Sequence, residues 1–352
     1  LPSNYAFELH KSIWRIRESR ATCVALQMPE GLLAYACVLA DIIATFANVD
    51  TVIMGDVTYG ACCIDDATAM ALGCDYLLHY GHSCLVPVSV AHGITVQYVF
   101  GDIKFDLRHF VDSMRLNFAP QQRLALVSTV QFAASLHTAV AALEETFTSL
   151  VIPQARPLSG GEILGCTSPS LDATALDALI YIGDGRFHLE SAMIANPKLP
   201  AYRYDPYDKK FTRETYDHAL MLRVRRQAVE QARGARSFGI IHGTLGRQGN
   251  PAIVRRIESL LRAKGIPFVV VLLSEIFPAK LALFGEIDAW VQVACPRLSI
   301  DWGLHFGKPL LNPYEAEVVL NDAQPWCECY PMDYYRKDGG KWSNGGVGKR
   351  EL

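Results

Sequence analysis

The sequence predicts an α/β protein made of three consecutive doubly wound parallel-sheet domains around a shared central site. Short apolar runs of strand length alternate with segments of helical periodicity along most of the 352 residues. This alternation is typical of parallel sheets that are covered by helices on both faces. The pattern restarts twice, so that each unit has about 100 to 130 residues, the usual size of one domain.

The first predicted domain spans residues 1–118. Apolar runs predict strands at residues 24–28, 51–54, 76–79 and 96–100, and helical periodicity predicts helices at residues 32–46 and 65–72. Pro29, Gly31 and Gly55 follow the first two strands. Turn residues are expected at these points, where a strand gives way to the next helix.

The second predicted domain spans residues 119–207 and the third spans residues 208–330. Strands are expected at residues 124–130, 150–153 and 178–182, and again at 238–241, 268–273 and 289–293, with helices at 137–147, after Asn250-Pro251 and near 279–284. A charged segment, residues 211–231, is predicted as a helix between these domains. Residues 331–352 are expected to form a tail that is an extended strap or a partly ordered terminus.

One cysteine of each predicted domain lies at a strand-to-loop boundary: Cys62, Cys166 and Cys295. Ligands of Rossmann-like sheets gather outside the carboxyl ends of the strands, so these thiols are candidates to share one site. Three thiolates can hold three irons of a 4Fe–4S cluster and leave the fourth iron open to a ligand. Spacing alone equally allows three separate buried thiols. Cys295 follows a third strand whereas the others follow a second, so no strict threefold repeat is predicted.

Two further cysteine arrangements compete with this reading. Cys63 stands beside Cys62 and is an alternative ligand. Zinc is the competing metal, and Cys327 with Cys329 could recruit it, but the C-x₂-C pairs that structural zinc usually uses are absent from the sequence.

The composition excludes several classes of protein. With 50% hydrophobic residues, 20% charged residues and a formal net charge of −3, it is that of an ordinary soluble protein without a nucleic-acid-binding footprint. The longest uncharged stretch, residues 124–143, contains polar side chains such as Gln131 and His137, which predict a buried strand and an amphipathic helix rather than a membrane span. The first residues lack an apolar signal segment and the ten cysteines are dispersed, so we expect reduced thiols in the cytoplasm.

Other motifs also follow predicted strands. The glycine-rich loop at residues 243–251 either lets backbone amides approach a nucleotide-like ligand or forms a tight strand-to-helix turn. Arg186 either grips a carboxylate bidentately or forms a surface ion pair. Tyr204 and its aromatic neighbours either stack on an adenine or pack at the edge of the core. His79 and His82 suggest a metal or Cys-His site, although a histidine after a strand is more often structural.

Six motifs together resemble the diphthamide biosynthesis family of radical enzymes, from residue 1 to about residue 330. They are Leu1-Pro-x-Asn-Tyr-x-Phe-Glu, Gln27-Met-Pro-Glu-Gly31, Gly55-Asp-Val-Thr-Tyr-Gly-Ala-Cys-Cys63, His79-Tyr-Gly-His-Ser-Cys84, Gly183-Asp-Gly-Arg-Phe-His188 and Gly243-Thr-Leu-Gly-Arg-Gln-Gly-Asn-Pro251. The doubled cysteine is similar to the eukaryotic form of the family.

The resemblance implies a transferase that performs the first step of diphthamide biosynthesis. In this family, Cys62, Cys166 and Cys295 correspond to the ligands of a 4Fe–4S cluster. S-adenosylmethionine docks on the open iron, and the reduced cluster breaks its sulfur–Cγ bond. The resulting 3-amino-3-carboxypropyl radical adds to the imidazole carbon between the two nitrogens of one histidine in translation elongation factor 2.

The resemblance also implies partners. The eukaryotic enzyme is a heterodimer with diphthamide biosynthesis protein 2, and diphthamide biosynthesis protein 3 delivers electrons; no direct contact with nucleic acid or membrane is expected. From the residues themselves, we expect S-adenosylmethionine to be oriented by Gly185, Arg186, Tyr204, Asp205, Gly243, Thr244, Leu245, Gly246, Arg247 and Gln248. Two alternatives stay open, a non-catalytic supporting subunit of the heterodimer and a zinc-stabilised nucleotide-binding module.

Overall fold

The computed structural model describes residues 1–56, 58–85 and 93–346. Within them the chain forms three mainly parallel sheets with helices packed on them, which confirms the predicted α/β class. All three sheets share one strand order, in which the second strand lies outside the first, and the third and fourth follow on the other side. In such sheets the carboxyl ends of the strands form a common ligand-binding edge.

The first sheet has the order β2-β1-β3-β4 and is parallel throughout. The helix expected at residues 32–46 is broken into two, α2 and α3. The elements of this unit are α1 Leu9–Ser19, β1 Cys23–Gln27, α2 Glu30–Leu33, α3 Ala36–Ala47, β2 Asp50–Met54, α4 Asp66–Ala71, β3 Tyr76–Tyr80, β4 Thr95–Val99 and α5 Leu107–Asn117. Leu39 and Ile43 of α3 are buried against the strands.

The second sheet has five strands in the order β6-β5-β7-β8-β9, and its last strand is antiparallel. Its elements are β5 Arg123–Ser128, α6 Ala133–Leu143, β6 Ser149–Val151, β7 Ala178–Ile182, α7 Phe187–Ala195, β8 Ala201–Asp205 and β9 Lys210–Glu214. The prediction of a helix at residues 211–231 was wrong for the first residues, which belong to β9. There Phe211 stacks on Tyr202 of β8, with 5.9 Å between ring centroids. The second sheet therefore continues past residue 207.

The third sheet has the order β11-β10-β12-β13 and is again parallel. Its elements are α8 His218–Arg233, β10 Phe238–Gly243, α9 Pro251–Ala263, β11 Phe268–Leu273, α10 Pro278–Ala282, β12 Ala289–Val293, α11 Pro296–Trp302, β13 Leu310–Leu311 and α12 Pro313–Leu320. Arg225 of α8 and Glu315 of α12 form an ion pair that is almost completely buried, with Nε to Oε1 at 2.7 Å. This pair fixes α8 to α12 inside the third unit.

The chain after α12 crosses back to the second unit. We call residues 330–346 the C-terminal strap. Asp333 pairs with Thr167 in an antiparallel bridge, and the Ser168 N–H donates to the Met332 carbonyl at 2.8 Å. The strap therefore lies against the loop that carries Cys166. Residues 347–352 of the predicted tail lie outside the described residues.

Among the helices in the described part of the chain, none is both long and apolar enough to cross a bilayer. Residues 124–143, the longest uncharged stretch, run through β5 and into α6.

Candidate functional site

The three predicted cysteines all follow carboxyl ends of strands. Cys62 lies in a short 3₁₀ turn, Ala61–Cys63, after β2; Cys166 lies in the loop after β6; and Cys295 lies between β12 and α11. Cys166 packs against the hydrophobic core of the third unit. Cys62 packs in a small cluster that also contains Leu164 and Tyr335. The first unit thus meets the second at Cys62, and the second unit meets the third at Cys166.

Electrostatics indicates the same proximity. The hydrogen bond with Cys63, burial, and the charges of Cys295 and Cys166 raise the pKa of the Cys62 thiol. Burial, and next the charge of Cys295, raises the pKa of Cys166 to about 12. Burial is also the main reason why the pKa of Cys295 is raised. Three thiolates at this place would repel one another, so a bound cation would favour their ionised form.

A single zinc ion and a 4Fe–4S cluster require different arrangements of their ligands. In the described residues, no group of three or more His, Cys, Asp or Glu side chains is placed to hold a metal ion. Tetrahedral ligands of one zinc ion lie about 2.3 Å from it, and therefore close to one another. Cysteines of a 4Fe–4S cluster bind different irons and stand further apart. Cys62, Cys166 and Cys295, one from each unit, are candidate ligands of such a cluster.

Cys62 and Cys63 have different surroundings. The Gln248 side-chain amide donates to the Cys63 sulfur at 3.4 Å, and the Gln27 amide donates to the Cys63 carbonyl at 3.0 Å. The hydrogen bond with Cys62, followed by backbone N–H groups and Gln248, lowers the pKa of Cys63 to about 6. The Cys63 sulfur is thus held by its own unit and by the glycine-rich loop, which leaves Cys62 as the better candidate ligand.

The glycine-rich loop of the third unit docks on this cysteine turn. The Arg247 N–H donates to the Cys62 carbonyl at 2.8 Å. The Arg247 guanidinium binds the buried Asp66 carboxylate with two hydrogen bonds, 3.0 and 2.5 Å. Arg247 is therefore paired and does not offer a free guanidinium to a carboxylate ligand. Gln248 is buried at the contact, whereas Thr244 is exposed.

Both ends of the loop are also tightly packed. A Cβ on Gly243 would lie 2.6 Å from the Cβ of Ala294, next to Cys295. The Thr244 N–H donates to the Leu273 carbonyl at 2.9 Å, and the Gln248 N–H donates to the Leu245 carbonyl at 3.3 Å. The loop joins the first and third units in addition to any ligand contact.

Arg186 is engaged within the second unit. Its guanidinium donates to the Thr215 carbonyl at 2.7 Å and pairs with Glu214 at 3.0 Å. The ion pair that the sequence left open as an alternative is therefore present. Gly185 adopts φ +62°, and no atom lies within 4 Å of the place where its Cβ would be.

Tyr204 and Asp205 have structural roles, in contrast to the expected ligand contacts. Tyr204 is fully buried, its hydroxyl lies 2.9 Å from His109 Nδ1, and its ring packs on Phe110 at 4.9 Å between centroids. Its ring is covered by the core of the second unit, so it offers no face to an adenine. Asp205 accepts the backbone N–H of Tyr207 at 3.0 Å and thereby closes the β8–β9 turn.

Arg297 is a site residue that sequence reasoning missed. It is buried, and its guanidinium donates to the carbonyls of Gly165 at 3.1 Å and Phe187 at 2.8 Å. It also pairs with Glu190 at 2.7 Å and with Asp301 at 2.9 Å. Its positive charge acts to lower the pKa of Cys166 and Cys295. The signal in the sequence was an arginine two positions after a cysteine at the end of a strand.

Histidines form a second group between the first and second units, in which His79 is buried and His82 is half-buried. The Gln27 side-chain oxygen accepts from the Asp65 N–H and lies 2.8 Å from His79 Nδ1, so this nitrogen carries the proton. His79 Nε2 is then an acceptor for the His82 Nδ1–H, 3.2 Å away. Because neutral His82 carries its proton on Nδ1, its Nε2 is unprotonated. Burial, then the charge of His188, lowers the pKa of His82 to about 4.

The C-terminal strap supplies two tyrosines. The Tyr334 N–H donates to the Cys166 carbonyl at 3.3 Å, and the Tyr335 N–H donates to the Thr167 hydroxyl at 3.0 Å. Burial, followed by the charges of Cys166, Cys295 and Cys62, raises the pKa of Tyr334. Among the described residues, its buried hydroxyl has no hydrogen-bond partner. Soft thiol donors, a nearby buried arginine and an unpartnered hydroxyl fit an iron–sulfur cluster.

Comparison with known proteins shows which family the chain resembles. The diphthamide synthesis protein family matches residues 28–331. Among similar proteins, 2-(3-amino-3-carboxypropyl)histidine synthase subunit 1 of Gallus gallus is 59% identical over 344 residues, covering 97% of this chain and 83% of the relative. The protein of the same name from Homo sapiens is 57% identical over 345 residues, covering 97% and 78%. That from Dictyostelium discoideum is 57% identical over 351 residues, covering 98% and 74%.

A solved structure is also similar. Dph2 from Pyrococcus horikoshii, in a crystal structure with a 4Fe–4S cluster, superposes with a TM-score of 0.76 at 26% sequence identity, over 94% of each chain. The family match, the identities and the shared fold confirm the resemblance seen in the sequence motifs. The chain belongs to the diphthamide synthesis protein family.

Proposed function

We propose that this chain is the catalytic subunit for the first step of diphthamide biosynthesis. It transfers the 3-amino-3-carboxypropyl group of S-adenosylmethionine to a histidine of translation elongation factor 2. The observation that supports the proposal most is that Cys62, Cys166 and Cys295 each follow strands of a different sheet, and that the charges of Cys295 and Cys166 act on the Cys62 thiol. The activity in the relatives' name supports it.

The three cysteines hold a 4Fe–4S cluster in this proposal, as the cluster in the similar Dph2 structure supports. When bound, such a cluster supplies an electron and one open iron for S-adenosylmethionine. The chain's own residues prepare the place. Arg297 brings a buried positive charge to thiolates that repel one another, and its bonds to Gly165 and Phe187 fix the Cys166 loop.

Some residues that we expected to contact S-adenosylmethionine remain candidates, whereas others already have partners within the protein. Gly185 faces open space, and the Thr244 side chain is exposed on the loop that docks on Cys62. We retain these two as candidate contacts. Arg186 and Arg247 are already paired, and Tyr204 and Asp205 are used by the fold, so none of these four side chains is assigned to the ligand.

The name of the relatives describes a subunit, which implies a complex of several chains. Our proposal goes further and places this chain in a cytoplasmic heterodimer with diphthamide biosynthesis protein 2. Diphthamide biosynthesis protein 3 is proposed as the electron donor. The expectation of a supporting, non-catalytic subunit makes the opposite prediction for mutants of this chain alone.

The test uses the heterodimer with Cys166→Ala in this chain only. Purified under anaerobic conditions and reduced, the wild-type heterodimer should cleave S-adenosylmethionine and modify elongation factor 2. The variant heterodimer should do neither, because its cluster lacks one ligand. A variant that keeps the wild-type rate would show that the partner chain is the catalyst and that this chain only supports it.

A further inference from the structure

The Tyr334 hydroxyl is buried without a partner. The residue is 4% exposed, and in the described part of the chain no atom forms a hydrogen bond with its hydroxyl. Leaving a buried hydroxyl unpaired is unfavourable, so such a group calls for an acceptor. Most other buried tyrosine hydroxyls near the third unit have one: that of Tyr330, for example, donates to Glu315 at 2.7 Å.

The position of Tyr334 is fixed from both sides. Its N–H is bonded to the Cys166 carbonyl, and its own carbonyl accepts the Asn344 N–H at 2.7 Å. Its ring meets the Tyr335 ring edge to face, 5.1 Å between centroids. Tyr334 belongs to the same hydrophobic cluster against which Cys166 packs. The side chain is therefore held next to Cys166 by its backbone and by its neighbours.

The hydroxyl can therefore only find a partner in a group bound at this place. Tyr334 packs in the cluster that Cys166 contacts, and its hydroxyl has no partner among the described residues. A phenol that keeps its proton is a hydrogen-bond donor. Neutral thiols are weak acceptors, whereas the sulfurs of an iron–sulfur cluster carry negative charge and accept charge-assisted hydrogen bonds.

We propose that the Tyr334 hydroxyl donates a hydrogen bond to a sulfur of the cluster held by Cys62, Cys166 and Cys295, and so raises its reduction potential. The inference rests on the proposed function. The physical reason is that the reduced cluster is more negative than the oxidised one, so a donor stabilises the reduced form more. Hydrogen bonds to the sulfurs are among the factors that set the potential of such clusters.

The experiment compares Tyr334→Phe with a matched control, Tyr80→Phe. Tyr80 is also buried, and its hydroxyl also has no partner among the described residues, but it lies in the core of the first unit. Each full-length chain is reconstituted anaerobically with iron and sulfide in the presence of its partner subunit. Iron content and the midpoint potential, followed by electron paramagnetic resonance, are then measured.

Tyr334→Phe should bind as much iron as the wild-type chain but have a more negative midpoint potential, and Tyr80→Phe should match the wild type in both. Equal potentials in all three proteins would overturn the inference while leaving the proposed function standing. A wild-type chain that binds no cluster would overturn both.

The metal-free proteins give a second readout. Because the substitution removes a hydroxyl without a partner, metal-free Tyr334→Phe should unfold at the same temperature as the wild type or higher. A clear loss of thermal stability would mean that the hydroxyl is already bonded within the protein, which would contradict the assignment even if the variant failed to assemble a cluster.

Discussion

The backbone of Cys63 occupies the space that a side chain on Gly246 would need. A Cβ at position 246 would lie 2.5 Å from the Cys63 carbonyl carbon, and Gly246 adopts φ +53°. Both observations require glycine at this position. This close approach allows the glycine-rich loop of the third unit to pack on the cysteine turn of the first unit. The loop therefore has a structural role at the site, whether or not it also contacts a ligand.

Gly246→Ala should therefore separate the two units locally. Strain at positive φ and the clash with Cys63 together cost roughly 2–5 kcal/mol of folding free energy. Gly265→Ala is the matched control, because Gly265 has φ +66° but open space around it and should lose only about 1–2 kcal/mol. Urea unfolding of both variants checks the difference. Equal losses would show that the contact with Cys63 is not tight.

Arg297→Lys should weaken the site more than its retained charge suggests. Lysine cannot replace the forked bonds to Gly165, Phe187 and Glu190, so about 2–4 kcal/mol of stability should be lost together with most of the bound iron. Arg225→Lys is the control, since Arg225 is equally buried but is paired with Glu315 inside the third unit. Arg225→Lys should lower the stability of the chain, but the amount of iron bound per folded molecule should equal that of the wild type. Normal iron content in Arg297→Lys would refute this role.

Acid should destabilise the metal-free chain through two half-buried histidines, His82 and His188. Burial is the main cause that lowers the pKa of both His82 and His188 to about 4, from a usual value of 6.5. The unfolded chain therefore binds more protons between these values, and the free energy of unfolding falls as the pH drops from about 6.5 to about 4, by at most ~3 kcal/mol for each histidine.

Urea unfolding of the wild type and of His188→Gln between pH 5 and 7 measures this effect. The variant should lose less stability on acidification, whereas the same substitution at exposed His305 is the control. Stability of the wild type that did not change over this range would contradict the burial of these imidazoles.

The two adjacent cysteines should behave differently. Cys62→Ser should lose the cluster, because Cys62 packs beside Leu164 of the second unit and Tyr335 of the C-terminal strap. Cys63→Ser should keep most of its iron, since the Cys63 sulfur is bonded to Gln248 and a hydroxyl can accept the same hydrogen bond. Iron and sulfide analysis of the two reconstituted variants decides between them. The reverse outcome would make Cys63 the ligand.

The fold class and the place of the cysteines could be predicted because both depend on local pattern. Apolar runs alternating with helices indicate parallel sheets, and residues after such strands lie at one edge. That reasoning located Cys62, Cys166 and Cys295 correctly at carboxyl ends.

Side-chain partners could not be predicted in the same way. The partner of Arg247 is Asp66, which is distant in sequence, and Arg186 pairs with Glu214 across the second unit. The period of two in β8 places Tyr202 and Tyr204 on one face. Sequence alone does not say that this face meets α5 and not a ligand. The sequence did not predict that the C-terminal strap contacts the site, because the strap binds Cys166 through backbone groups, which carry no sequence signal.

Three cysteines that follow strands of three sheets should hold one cluster that binds S-adenosylmethionine. The most direct test is electron paramagnetic resonance of the anaerobically reconstituted and reduced protein with its partner subunit, with and without S-adenosylmethionine. The chain should be compared as wild type, as Cys166→Ala and as Cys37→Ala, the last altering an exposed cysteine of α3. We predict a reduced 4Fe–4S signal that shifts with S-adenosylmethionine in the wild type and in Cys37→Ala, and that is lost or altered in Cys166→Ala. An unchanged signal in Cys166→Ala, or no signal in the folded wild type, would contradict the account.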